Sequence, residues 1–272
     1  MTTPFRHHLR DAAIATASFT GLAALHRAAA RRHGPLTRIL CLHDVPDRDW
    51  FSDLLDFLVL DHRILTPHEF QAGIRDPERS HILLTFDDGY QSWIDVVLPL
   101  LSKHQITAMF FLSSGALDAA GVGERAAADF TRERLRLYGS HPLITWDGAR
   151  SLVAAGHTIG AHTRSHADLS ELSVTVATRE LCDDKSALEH GLGVSVTDFA
   201  YPFGTRSHFT DQTETLTGTC GFRRTYSAVS GYVHSGSGSP FPRTLLEIGQ
   251  DRTELTRWLS GSYDIVSSLI WR

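Results

Sequence analysis

The chain has 272 residues, of which 42% are apolar, and its formal net charge is −5. This length and apolar content are enough for one large domain with a substantial core. The negative balance and the absence of a basic run in the sequence argue against a nucleic-acid-binding face.

The first 36 residues are interpreted as an N-terminal extension. Apolar residues recur at helical spacing from Phe5 to Leu22, with arginines on both sides, which predicts an amphipathic helix. Three uses stay open for it: a helix packed on its own domain, peripheral contact with an anionic membrane, or a signal peptide. The apolar run is too short and too polar for a helix that spans a bilayer.

Residues 37–272 alternate between apolar runs and amphipathic stretches, and they are interpreted as one catalytic domain. Strands are predicted at residues 37–43, 63–65, 80–86, 107–112, 158–161, 197–201, 223–227 and 244–248. Helices are predicted at residues 49–60, from 67 onwards behind the capping-box tetrad 66–69, and at 90–103, 124–137, 146–155, 172–189 and 253–259. Residues 116–140 contain no predicted strand and are interpreted as an insertion, and 230–240 as a loop.

Alternating strands and helices predict an α/β fold with a mainly parallel sheet. About seven strands over this length favour a single-domain, distorted (β/α) barrel over a small open sheet. Both architectures place active sites at the carboxyl ends of the strands. Polar residues that directly follow a predicted strand are therefore the candidates for a functional site.

The three cysteines, Cys41, Cys182 and Cys220, are widely separated and form no CxxC pair. Because an odd number cannot pair completely within one chain, we expect no disulfide framework. This favours a reducing compartment, and so a location in the cytoplasm or at the inner membrane, with export left open.

Two adjacent carboxylates, Asp87 and Asp88, end the apolar run at residues 80–86. Neighbouring acids repel each other, so one of them needs a cation or a proton nearby. A metal ion on one would leave the other free to act as a base. The alternative is a structural role, because Asp is a common helix N-cap at such a turn.

Two histidines four residues apart, His162 and His166, follow the predicted strand at 158–161. This spacing allows both imidazoles to share a metal ion, although one such pair is expected by chance in a chain with 16 histidines. Their place just beyond a strand end strengthens the metal interpretation. Two imidazoles, one carboxylate and open positions for water are typical of a catalytic metal site.

Together, the segments TFDDG at residues 85–89 and HTRSH at 162–166 resemble the polysaccharide deacetylases, carbohydrate esterase family 4, which share the NodB homology domain. Residues 144–147, 156–162 and 199–204 resemble the family as well. The resemblance extends over about residues 37–250. It implies that Asp88, His162 and His166 bind the metal and that Asp87 is the general base.

The chain departs from the common family pattern at two places, because Ala200 replaces an arginine and the late Leu-x-x-His is absent. Both departures resemble exopolysaccharide deacetylases with an early acid histidine, which implies His43 as the general acid. Arg243 is the candidate replacement for the missing arginine, beside Asp87. The resemblance also implies that the backbone N–H of Phe203 stabilises the oxyanion.

The function expected from this resemblance is metal-dependent removal of N-acetyl groups from hexosamines in a glycan or a lipid-linked sugar. Alternatives on the same site are an O-acetyl esterase, a deformylase and a cyclic-imide hydrolase. A further alternative is a non-catalytic glycan-binding module. Zn²⁺ is the expected metal, since two imidazoles and one carboxylate suit it, and Co²⁺, Ni²⁺ and Fe²⁺ remain alternatives.

Overall fold

The computed structural model describes residues 36–74, 79–234, 236–262 and 264, together with positions 24, 25 and 28. The predicted N-terminal amphipathic helix, from Phe5 to Leu22, therefore lies outside the described residues, and its role and the domain boundary stay predictions. None of the helices within the described ranges is long and apolar enough to cross a membrane.

The fold is a parallel sheet in which short strands alternate with helices. The strands are β1 (Thr37–Leu42), β2 (Arg63–Ile64), β3 (His81–Asp87), β4 (Met109–Leu112), β5 (Thr158–Ala161), β6 (Asp198–Ala200), β7 (Arg224–Tyr226) and β8 (Thr244–Leu245). Their spatial order is β7-β6-β5-β4-β3-β1-β8, and β2 pairs with the first half of β3.

The helices are α1 (Arg48–Asp61), α2 (Pro67–Gln71), α3 (Leu98–Lys103), α4 (Ser114–Val122), α5 (Glu124–Glu133), α6 (Trp146–Ala154), α7 (Val174–Leu192), α8 (Asp211–Thr219) and α9 (Arg252–Leu259). A π-helical turn, Trp93–Val97, precedes α3, and a 3-10 turn, Leu169–Glu171, precedes α7. The predicted capping box is present at α2, where Thr66 and Glu69 each accept a backbone N–H of the other.

An irregular segment joins the two edges of the sheet. The N–H of Phe241 donates to Thr225 O on β7 at 2.8 Å, and the next residues, Thr244 and Leu245, pair with β1. Residues 241–245 thus lie between the first and last edges, so the sheet curves into a distorted barrel. The predicted (β/α) barrel in a single domain is confirmed, with a two-residue strand, β2, beyond the seven of the main path.

The alternation of side chains along β3 decides which residues face the barrel interior. Leu83 belongs to an apolar cluster formed mainly by strand residues, whereas Leu84 and Phe86 pack into the large cluster against the helices. Since every second side chain of a strand lies on the same face, Thr85 and Asp87 share the interior face with Leu83. The end of β3 therefore directs one carboxylate into the barrel.

One disulfide forms, although the sequence analysis expected no disulfide framework. Cys182 on α7 and Cys220 at the end of α8 are disulfide-bonded, with their Cα atoms 5.1 Å apart. The two cysteines are 38 residues apart in the sequence, but the packing of α8 against α7 brings them together. Cys41 is left as a buried free thiol.

Two helical regions differ from the prediction. Residues 116–140, which the sequence analysis interpreted as an insertion, contribute to the main core, because α4 and α5 place Ala116, Leu117 and Ala127 there. Helix α8 was not predicted at all. Its sequence, DQTETLTGT, contains four threonines and one glycine, which are poor helix formers, and a capping box between Thr210 and Thr213 supports its start.

Candidate active site

Three predicted metal ligands come together at the carboxyl ends of the strands. The nearest atom of Asp88, Oδ1, lies 3.4 Å from His162 Nε2 and 3.3 Å from His166 Nε2. All three residues are buried. The register explains the meeting, because Asp87 at the end of β3 pairs with Phe111, and the neighbouring Leu112 pairs with Ala161 just before His162.

Hydrogen bonds at the far side of each imidazole determine which of its two ring nitrogens carries a proton. His162 Nδ1 lies 2.7 Å from the carbonyl oxygen of Ala200, and His166 Nδ1 lies 3.2 Å from that of Arg134. A carbonyl oxygen can only accept, so each Nδ1 carries the proton and donates it. In the neutral rings, both Nε2 atoms then present lone pairs towards Asp88.

This arrangement fits a divalent cation. Asp88 Oδ1 is buried and has no hydrogen-bond partner among the described residues. A buried acceptor without a partner is costly, and here two nitrogen lone pairs face it as well. One cation between the carboxylate and the two imidazoles would satisfy all three atoms.

The second carboxylate, Asp87, is held by an arginine in a forked pair. Arg243 Nη1 and Nη2 each donate to one Asp87 carboxylate oxygen at 2.7 Å, and Arg243 is only 1% exposed. The thiol of Cys41 also donates to Asp87 Oδ2, at 3.4 Å. Arg243 therefore lies where the sequence analysis placed the substitute for the missing arginine.

The charges around Asp87 keep it ionised. Burial has the largest effect and by itself would raise its pKa, but the Arg243 guanidinium, together with the His162 and His43 imidazoles, holds the pKa of Asp87 below its usual value. Burial raises the pKa of the Cys41 thiol well above its usual range, so Cys41 stays protonated and can donate. Cys41, His43 and Asp87 form a second cluster of metal-ligand types. That cluster fits a cation poorly, because Arg243 already occupies both Asp87 oxygens and the thiol keeps its proton.

His43 lies at the rim of the same site, directly after β1. Its Nε2 is 4.0 Å from Asp88 Oδ2, and its side chain is 38% exposed, so it is open to a molecule in the pocket. The neighbouring Asp44 binds a different histidine: His141 Nδ1 lies 2.9 Å from Asp44 Oδ2. Ser92 donates to the other Asp44 oxygen at 2.7 Å and holds that carboxylate in place.

Phe203 follows β6 and has a positive φ of 60°. Its ring packs edge-on against His166, with the ring centroids 4.8 Å apart. Among the described residues, the Phe203 N–H has no hydrogen-bond acceptor. This free donor beside His166, a predicted metal ligand, is consistent with the predicted oxyanion contact, which stays a prediction.

Backbone strain concentrates at this site. Six described non-glycine residues have positive φ, and three of them are Asp88, His166 and Phe203. Thr163 lies between the two histidines, and Arg136 lies over the Phe203 ring, so five of the six surround the pocket. Such conformations cost about 1–3 kcal/mol each and persist mainly where function requires them.

Three residues that support the ligands were missed by the sequence analysis. The Tyr90 hydroxyl donates to Asp88 Oδ2 at 3.0 Å. Asp184 on α7 accepts the backbone N–H groups of Ser114 and His162, and burial raises its pKa to about 6. Glu180, one turn earlier, accepts both the N–H and the hydroxyl of Ser165. Asp184 could have been identified from the sequence, because it is a charged residue on the apolar stripe of a predicted helix.

A pocket of about 680 Å³ opens above these residues. Its floor contains the Asp87–Asp88 pair, the two histidines and Arg243, and His43 and His141 line it as well. The structure thus brings all seven predicted site residues, including Phe203, to one cavity. Their individual catalytic roles stay predictions.

Comparison with known proteins agrees with the motifs. A family model described as polysaccharide deacetylase matches residues 74–224, more than half of the chain. The chain belongs to the polysaccharide deacetylase family. The family resemblance expected from the motifs is therefore confirmed.

The individual relatives that match this chain are distant. A chitin deacetylase from Pestalotiopsis sp is 32% identical over 120 residues, which are 44% of this chain and 33% of the relative. An uncharacterized 30.6 kDa protein from Geobacillus stearothermophilus is 26% identical over 152 residues, 56% of this chain and 47% of the relative. The chain therefore matches less than half of the length of these relatives.

Solved structures support the fold. The Streptococcus pyogenes deacetylase PplD in complex with acetate is 20% identical with a TM-score of 0.66, over 82% of this chain and 98% of that one. IcaB from Ammonifex degensii is 22% identical with a TM-score of 0.64, over 85% and 98% of the two chains. At this identity the similarity is one of fold.

Proposed function

We propose that the chain is a metal-dependent hydrolase that removes N-acetyl groups from hexosamines of a glycan or lipid-linked sugar. The convergence of Asp88 Oδ1 and two imidazole Nε2 atoms, beside a second carboxylate held by Arg243, supports this proposal most directly. Family membership adds to it. When bound, a divalent cation would lower the pKa of water and polarise the acyl oxygen.

Each of the seven predicted site residues has a role in this proposal. Asp87, kept ionised by Arg243, accepts the proton of the attacking water. The N–H of Phe203 donates to the oxyanion that develops on the former carbonyl oxygen. His43 donates a proton to the amine nitrogen as the carbon–nitrogen bond breaks. Asp88, His162 and His166 would hold the cation, with Zn²⁺ as the first choice.

The test is release of acid from a panel of N-acetylated, O-acetylated and N-formylated sugars. The proposal predicts acetate from N-acetylated sugars by the wild type. It also predicts a loss of about 10²–10⁴-fold in Asp87→Asn, because the base is removed, while the metal content is kept. Asp53→Asn, an exposed carboxylate on α1, is the matched control and should retain wild-type activity.

The alternative functions give different results in the same panel. Acetate from O-acetylated sugars alone would indicate an esterase, and formate would indicate a deformylase. No acid from any substrate, together with no bound metal, would leave only the glycan-binding module.

The disulfide bears on the compartment. Disulfides persist mainly in oxidising environments, so Cys182–Cys220 favours an exported protein over the cytoplasmic location that the cysteine count favoured. A thiol titration of the denatured, unreduced protein tests this. One free thiol per chain, from Cys41, is expected for an exported protein, and three would support a reducing compartment.

A further inference from the structure

The walls of the active-site pocket differ in character from its floor. They contain Leu135 and Leu137, from the loop that follows α5. They also contain Leu246 and Ile248, which follow β8. The two pairs belong to separate segments of the chain, so the apolar lining does not result from one local sequence feature.

The loop after α5 separates its apolar from its charged side chains. Arg134 and Arg136 are exposed, whereas the alternate residues Leu135 and Leu137 line the pocket. The Arg136 guanidinium lies over the Phe203 ring, 4.7 Å from its centroid, at the edge of the pocket. In the segment after β8, Ile248 is 41% exposed, so the apolar lining reaches the solvent.

Leucine and isoleucine side chains offer nothing to a sugar hydroxyl. They contain no hydrogen-bond donor or acceptor, and burying a hydroxyl against them without a partner is costly. Besides Cys41, His43, Tyr90 and Tyr201, the polar side chains that line the pocket beyond its floor are His141, Asp44 and Glu247. These three can bind the hydroxyls of one sugar unit. The leucine and isoleucine surface instead favours methylene groups, each of which gains about 0.8 kcal/mol on burial.

We propose that the substrate is an amphipathic amino sugar that carries an aliphatic chain, and that Leu135, Leu137, Leu246 and Ile248 bind this chain. The inference rests on the proposed function. If the acyl group that leaves is an acetyl, it has only one methyl, so the chain belongs to the amine side of the scissile bond. The sugar lies over the catalytic floor near His141, and the chain follows the wall outwards past Ile248.

The experiment compares the methyl and octyl glycosides of N-acetylglucosamine, both below the critical micelle concentration of the octyl compound. Each methylene that enters the pocket should raise kcat/KM by about threefold to fourfold. We therefore expect kcat/KM to be at least about tenfold higher for the octyl glycoside, even if only two or three methylenes are bound. Equal values for the two glycosides would overturn the proposal.

Substitutions in the wall separate a specific site from a general effect of the chain. Ile248→Asn and Leu137→Asn should each lower kcat/KM for the octyl glycoside by roughly tenfold, and leave that for the methyl glycoside within about twofold. Leu60→Asn, at the exposed end of α1, is the control and should change neither value. An octyl preference that persists in both wall variants would contradict the assignment.

A binding measurement keeps this inference separate from the proposed function. In calorimetry without turnover, the wild type should bind the octyl glycoside at least about tenfold more tightly than the methyl glycoside. Ile248→Asn should lose this difference. If no acetate is released but the difference in binding is present, the proposed reaction fails and the binding site stands. Equal binding of both glycosides removes the site, whatever the reaction.

Discussion

The part of the chain that the structure describes contains two buried, forked Arg–Asp pairs at different places in the barrel. Arg243 holds Asp87 at the carboxyl end of β3, with both contacts at 2.7 Å. Arg38, near the start of β1, holds Asp264 with contacts of 3.0 and 2.8 Å. Both arginines are almost fully buried. Burial and pairing of charge are therefore common to both places.

The surroundings of the two pairs differ. Arg38 also donates to Thr244 and lies over the Tyr232 ring, which are contacts typical of a structural ion pair. Asp87 instead adjoins a second carboxylate, Asp88, with a partnerless oxygen and two imidazole nitrogens in front of it. The comparison teaches that a buried ion pair does not identify a catalytic site. The feature that marks the candidate site is the convergence of unshared lone pairs beside the Arg243–Asp87 pair.

The largest effect on kcat should come from a substitution of His43, at the rim of the pocket. His43→Ala should lower kcat by about 10³-fold, because the proton donor for the leaving amine is lost. His141→Ala, which removes a neighbouring imidazole paired with Asp44, should cost only about tenfold through a lost substrate hydrogen bond. Steady-state kinetics of both variants measure this. A larger loss for His141→Ala would mean that His141, and not His43, is the proton donor.

Breaking each arginine pair tests the comparison itself. Arg243→Met should lower kcat/KM by about a hundredfold, since Asp87 loses the charge that keeps it ionised and oriented. Arg38→Met should leave kcat/KM per folded molecule within about twofold. Either change leaves a buried carboxylate unpaired and should lower the free energy of unfolding by about 3–5 kcal/mol. Denaturant titrations and kinetics measure the two effects separately. Equal losses of activity in both variants would contradict the division into one catalytic and one structural arginine pair.

A histidine outside the pocket should affect stability alone. The Ala108 N–H donates to His157 Nδ1 at 3.1 Å, and burial lowers the pKa of His157 to about 4. Its neutral form is favoured in the folded state. The stabilisation that neutral His157 gives to the folded state is therefore fully present above the unfolded pKa of about 6.5, and it is lost as pH falls towards 4.

We expect the wild type to lose on the order of 2 kcal/mol of unfolding free energy relative to His157→Gln between pH 7 and 4. Unfolding titrations at several pH values measure this difference. Parallel pH profiles for the two proteins would show that His157 does not titrate in this way.

The smallest effect should come from Cys41. Its thiol is a weak donor to Asp87, which Arg243 already fixes. Cys41→Val should lower kcat/KM by about threefold, in line with the loss of one weak hydrogen bond. A hundredfold loss would mean that the thiol takes part in the reaction itself.

The strand ends, and with them the pocket, were predictable because local signals agreed. The apolar run before Asp87, the capping box at Thr66 and the strand before His162 each predicted an element that the structure contains. Parallel strands end at one edge, so the residues after them had to meet. Arg243 was proposed because this chain has Ala200 where the family pattern has an arginine, so that another arginine had to take its place.

The unpredicted features depend on packing between distant segments. The Cys182–Cys220 disulfide exists because α8 packs on α7, and α8 itself lacks helix-forming residues. Asp184 supports His162 across 22 residues through a backbone N–H, which no side-chain motif records. The Asp44–His141 pair joins two loops 97 residues apart. Sequence spacing gives no measure of such contacts.

The account depends above all on one cation held by Asp88, His162 and His166. Metal content per chain, measured by elemental analysis after exhaustive dialysis, tests this most directly. We predict one divalent metal ion per chain in the wild type and in Asp87→Asn, and its loss in His162→Ala and in His166→Ala. Metal retained equally in all four proteins, or absent from the wild type after Zn²⁺ loading, would contradict the account.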